Sequence, residues 1–130
     1  MKKGFTLLEL LAVIVLLAVI TMITTPVILK EIKSSKEKAF IQSAYSLVQA
    51  STTYQANNNY KAYTFNFADE STGYKNLEID GDYPSSGTLT IDENGKINLT
   101  LWSDDLSICI SKEKDTKEIK KTNYSKDECK

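Results

Sequence analysis

Hydrophobic and polar positions divide the chain into three regimes. From Phe5 to Thr25 the apolar run is broken only by Thr6, Glu9, Thr21, Thr24 and Thr25. At 1.5 Å per residue, about 21 residues of helix span roughly 30 Å, the thickness of a bilayer's hydrocarbon core. From Lys30 to about Ala56 the apolar positions thin to a stripe. Ile32, Ala39, Phe40, Ala44, Leu47, Val48 and Tyr54 recur at three- and four-residue steps, with Lys33, Lys36, Glu37, Gln42 and Gln49 mostly off it. One helix of about 50 residues is therefore expected, ending at Asn57-Asn58-Asn59, which favour turns. Pro26 lacks an amide proton and is expected to kink it.

Beyond the asparagines the period shifts to two. Tyr63, Phe65 and Phe67 alternate with Thr64 and Asn66, as in a short strand. Asp69 to Tyr74 reads as a loop, and Leu77 and Ile79 flank Glu78 ahead of Asp80-Gly81-Asp82. Three strands follow. They run over Thr88–Asp92, over Lys96–Trp102 after the hairpin signal Asn94-Gly95, and over Leu106–Ser111 after Ser103-Asp104-Asp105. Their apolar residues share one face, as in an antiparallel meander. The tail from Lys112 is charged, with Ile119 and Tyr124 its main apolar residues, and is expected to be mobile unless Cys129 ties it to Cys109.

Composition narrows the function classes. The 130 residues carry 16 lysines, 17 acids and no histidine, for a net charge of −1. That balance gives no case for a nucleic-acid binder. Lack of histidine removes the usual near-neutral base and the commonest zinc ligand. With no nucleophile motif or phosphate loop either, no enzyme is expected. Asp80, Asp82, Asp92, Asp104 and Asp105 offer oxygen ligands for calcium, but their spacing fits no EF-hand, so no metal or other cofactor is expected. Asn98-Leu99-Thr100 fits the N-glycosylation pattern on a strand. The lysines at 112, 114, 117, 120, 121, 126 and 130 alternate with acids and read as a solvated face. Cys109 and Cys129 are the only cysteines, free or bridged. A bridge closing about 20 residues would contribute roughly 3 kcal/mol.

The start of the chain decides between anchors. An ordinary secretory signal has a shorter apolar core and a small-residue cleavage site, which Thr21 to Pro26 does not provide. A plain anchor leaves Glu9 unexplained, although a carboxylate near the middle of a span costs roughly 2.5–3.5 kcal/mol. Gly4-Phe5-Thr6-Leu7-Leu8-Glu9, after a short lysine leader and before an apolar helix, resembles the class III signal of type IV pilins and type II secretion pseudopilins. The resemblance implies cleavage between Gly4 and Phe5 by a prepilin peptidase and N-methylation of Phe5. It implies a helix kink at Pro26 and an α+β fold, a long N-terminal helix packed on a small antiparallel sheet.

Glu9 could then pair with the new amine of its own or a neighbouring chain and set subunit register. The division expected is a leader at 1–4, a membrane and polymerisation helix at 5–29, an amphipathic helix at 30–56, and a sheet headgroup with tail at 57–130. The implied role is a structural pilus subunit for adhesion, motility or DNA uptake. Implied partners are identical subunits, related minor pilins, the prepilin peptidase and an inner-membrane assembly platform. The chain would cross the cytoplasmic membrane once, C-terminus outside, before joining a surface filament. The alternatives are a pseudopilin of a secretion or competence system, a class in which calcium loops occur, and a single-pass anchored binding domain.

Overall fold

A computed structural model describes residues 2–129. Met1 of the expected leader and Lys130 of the expected tail lie outside them. Helix α1, Leu7–Asn57, runs unbroken through Pro26. Five strands follow: β1 Tyr63–Asn66, β2 Ser86–Ile91, β3 Ile97–Ser103, β4 Ile108–Lys112 and β5 Lys120–Thr122. The sheet order is β1-β2-β3-β4-β5 and every pairing is antiparallel. This is a pilin-like α+β architecture. The chain divides into two compact units, one up to Ser35 and one from Lys36.

In the first unit every described side chain up to Lys33 is exposed. The hydroxyls of this stretch are satisfied internally. Thr21 Oγ1 donates to the Leu17 and Ala18 carbonyls, both at 2.9 Å, and Thr24 and Thr25 donate one turn back to Ile20 and Thr21. Such back-bonding lets threonine sit in an apolar helix without an unpaired donor.

In the second unit the strands present alternate residues to a core. Phe65, Leu89, Ile91, Ile97, Leu99, Leu101, Ile108 and Ile110 are buried, while Thr64, Thr88, Thr90, Asn98 and Thr100 occupy the other face. The Asn94-Gly95 turn forms as expected. The Asp92 carboxylate accepts the amides of Asn94 and Lys96 at 3.0 and 2.9 Å, and Gly95 takes φ +76°, where glycine carries no Cβ penalty.

The helix meets this core along Ala44, Leu47, Ser51 and Gln55. Ile32 and Ala39, expected on the buried stripe, are exposed. Phe40, Val48 and Tyr54 of that stripe pack partly buried against the core as expected, and Ser43, Ser51 and Gln55 are buried beside them. The serines are small and bond to their own helix, and the Gln55 amide donates to the Lys61 and Asp92 carbonyls at 3.0 and 2.6 Å. A buried amide satisfied twice costs little.

Three other departures have physical causes. Leu77 and Ile79 form no strand. They follow two short 3-10 turns, Glu70–Thr72 and Tyr74–Asn76, and Leu77 tucks into the core singly. The tail is ordered as β5, with Ile119 buried and its amide donating to the Tyr45 hydroxyl at 3.1 Å. Lys112, expected with the solvated lysines, is buried opposite Leu99. Its Nζ donates to the Ile97 carbonyl at 2.8 Å, and burial pushes its pKa below the ordinary lysine value.

Candidate assembly site

The chemistry of the N-terminus is built on one turn. Thr6 precedes α1 and Glu9 lies in its first turn, three residues on. The Thr6 amide and hydroxyl donate to Glu9 Oε2 at 2.9 and 3.1 Å, and the Glu9 amide donates back to Thr6 Oγ1 at 3.3 Å. This is a capping box, which satisfies donors that a helix start leaves open. It also gives the carboxylate partners in a segment where an unpartnered one is costly. The other carboxylate oxygen, Oε1, enters none of these bonds. Sequence reasoning missed Thr6. Its signal was Thr-x-x-Glu ahead of an apolar run.

Gly4 and Phe5 precede the helix and are exposed, Phe5 at 88%. A peptidase needs an accessible, non-helical bond, and this one qualifies. Pro26 leaves the Met22 carbonyl without its usual helical donor. The helix is long and apolar enough to cross a membrane, and none of that span is buried within the chain.

The remaining candidates lie in the second unit. Cys109 of β4 and Cys129 are joined by a disulfide, and together with Trp102 they form a small cluster apart from the main core. Asp104 supports that cluster from outside. It accepts from the Lys126 ammonium at 2.7 Å and from the Trp102 indole at 2.8 Å, and these bonds, Lys126 first, hold its carboxyl below the usual aspartate range. Asp92 is taken by its hairpin amides and Asp105 by Lys36 at 3.5 Å. Asp80 and Asp82 are exposed on a loop. Among the described residues no three acid or cysteine side chains stand close enough to hold a metal ion. Asn98 is exposed and Thr100 half-buried on the outer face of β3.

An exposed apolar helix with a capped carboxylate in its first turn, joined in one chain to a small α+β domain, is a pilin-like arrangement. A family model described as the prokaryotic N-terminal methylation motif matches residues 1–25. The match places a class III signal at the start of the chain and, with the apolar helix, supports a type IV pilin-like prepilin anchored in the membrane before assembly. The motif implies processing by a prepilin peptidase and assembly into a pilus or pseudopilus. The family it marks is one of structural subunits. Neither the comparison with curated proteins nor that with solved structures returned a match.

Proposed function

We propose that this chain is the structural subunit of a type IV pilus used for adhesion, motility or DNA uptake. It is cut between Gly4 and Phe5, methylated on Phe5 and drawn from the cytoplasmic membrane, C-terminus outward, into a surface filament. Loss of the leader removes Lys2 and Lys3 and takes the net charge from −1 to −3. The assembly needs no cofactor. Its partners are identical subunits, related minor pilins and an inner-membrane platform.

The observation that supports this reading is the apolar stretch of α1, whose described side chains are exposed, while the second unit has a core of its own. In the filament a bundle of such helices would bury it. Glu9 then exchanges part of its capping box for the new amine on Phe5, its own or a neighbour's, and so fixes register between copies. A buried polar group specifies alignment in the same way in coiled coils.

Mass spectrometry of the chain from membranes and from sheared surface material tests this reading. The expected product begins at methylated Phe5 and is found in long filaments at native expression. An uncut product beginning at Met1 would overturn it in favour of a plain anchored domain. Processed protein confined to the membrane, with no surface filament, would assign the chain to a pseudopilus.

A further inference from the structure

The second unit holds a groove of about 580 Å³ on one flank of α1. Gln49, Thr53 and Asn57 line it from the helix, and Asn76, Glu78 and Asp80 from the loop before β2. That loop is fixed to the helix by the Asp80 amide, which donates to Ser46 Oγ at 2.8 Å. The lining is mainly polar. From Asp69 to Asp82 five acids face one lysine, a net charge of −4. The one lysine, Lys75, is held by Glu70 at 2.6 Å. Among the described residues no ion pair reaches Glu78, Asp80 or Asp82.

The opposite flank carries a weaker charge of opposite sign, three lysines and one acid from Lys117 to Lys121, a net charge of +2. The β1 strand, against which the Glu70–Thr72 turn at the start of the acidic stretch packs, is one edge of the sheet, and β5 is the other. Four intervening spacings of about 4.8 Å separate these edges by roughly 20 Å. Along β5 and the turn before it stand Lys117, Lys120 and Lys121. Lys121 is held by Glu37 at 3.1 Å. Lys120 has only a long contact to Glu118 at 3.6 Å, and among the described residues no ion pair involves Lys117. Tyr45 turns toward this flank, meeting Ile119, while Ser46 turns toward the groove.

We propose that the groove is a docking surface for the β5 edge of a second copy of this chain, with Lys117 and Lys120 entering beside Glu78 and Asp80. The inference rests on the filament reading. The two patches lie on opposite edges, so one copy cannot satisfy itself. A contact between unlike patches is heterologous, and repetition generates an open helical array. Charge complementarity of this kind sets register and excludes wrong partners more than it adds affinity. Hydroxyl and amide oxygens along the groove accept from the incoming ammonium groups.

Charge exchange in the full-length chain, produced with its assembly machinery, tests the proposal. Both reversals, Glu78→Lys with Asp80→Lys and Lys117→Glu with Lys120→Glu, are expected to lower sheared filament yield at least tenfold. The chain carrying all four changes should recover to half of wild type or better. If a reversal also lowers the melting temperature of the purified chain, Glu78→Gln with Asp80→Asn carries the test, with at least a threefold loss expected. Unchanged yield in either reversal, or no recovery in the four-fold variant, overturns the interface and leaves the acidic groove for another cationic partner. Glu9→Ala in the same assay separates the two readings. If it abolishes filaments while the groove reversals do not, only this interface is wrong. If the wild-type chain forms no filament, both readings fall.

Discussion

The two units use the same helix in opposite ways. Before Lys33, α1 is almost wholly apolar and its described side chains are exposed; from Ser43 to Gln55 its contact mixes apolar residues such as Leu47, Val48 and Tyr54 with Ser43, Ser51 and Gln55, and the buried ones include all three of these polar residues. Leu10 to Leu17 would be an excellent core stripe, yet it faces outward. Ser43, Ser51 and Gln55 would look like surface, yet they are inside. Burial follows the availability of a partner, not the apolarity of the residue. The sheet is that partner for the second stretch, and the side chains of the first stretch stand exposed.

This contrast makes the units separately breakable. Removing the carboxylate of Glu9 is expected to have the largest effect. Glu9→Ala should reduce filaments by two orders of magnitude or more, leaving membrane insertion and the melting temperature of the second unit unchanged. Normal filament counts would show that the carboxylate is not used in assembly. The mirror experiment is Leu101→Ala, which empties a site that is fully buried. A loss of about 2–5 kcal/mol is expected in urea unfolding, with membrane insertion intact. A loss under 1 kcal/mol would mean the sheet is not packed as described.

Opening the bridge with Cys109→Ser and Cys129→Ser should cost about 3 kcal/mol on the chain-entropy account of a loop with sequence separation 20. The same urea series checks it, and reducing agent should reproduce it in the wild type. Acid gives the smallest effect. The carboxyls of Asp69, Asp92, Asp104, Asp115 and Glu128 all titrate below their ordinary values because hydrogen bonds or lysines hold the charged form. Groups depressed on folding contribute stability that is complete above their unfolded values, 3.8 for aspartate and 4.5 for glutamate. It is lost as pH falls through the lower folded values. The melting temperature should be level between pH 5 and 7 and decline below about pH 4. A decline starting near neutrality would point to groups other than these.

Much of the fold was readable where one period dominated. The alternation at Leu89 and Ile91 and at Ile97, Leu99 and Leu101, with Asn94-Gly95 between them, specified the hairpin nearly to the residue. The α1 terminus fell at the asparagines for the same reason. β5 was not readable, because Lys120-Lys121-Thr122 has no alternation and pairs through ladder bonds to β4. The buried Lys112 was hidden by its neighbours, since a lysine among exposed lysines gives no sign that its ammonium will reach the Ile97 carbonyl. At the N-terminus the motif pointed to Gly4, Phe5 and Glu9, while the part of Thr6 lay in the Thr-x-x-Glu spacing ahead of the apolar run, whose role the capping bonds make plain. The groove at Gln49 and Asp80 joins residues far apart in sequence, and no local pattern could have drawn it.

The bridge between Cys109 and Cys129 has a mechanical consequence. A filament subunit under tension is loaded through its helix. Within the second unit, Glu37 and Tyr45 couple that helix to Lys121 and Ile119, on and beside β5. A three-residue edge strand, held by a short ladder and a few side-chain bonds, would be the first element to peel. Forced unfolding is governed by the rate of such an opening rather than by equilibrium stability. With Cys129 bonded to β4, peeling past Thr122 ends at a covalent stop. The load then passes to β3 and β4, whose pairing runs over five registered residues. If the proposed filament bears tension, the weakest strand of the sheet is thereby taken out of the path along which it would fail.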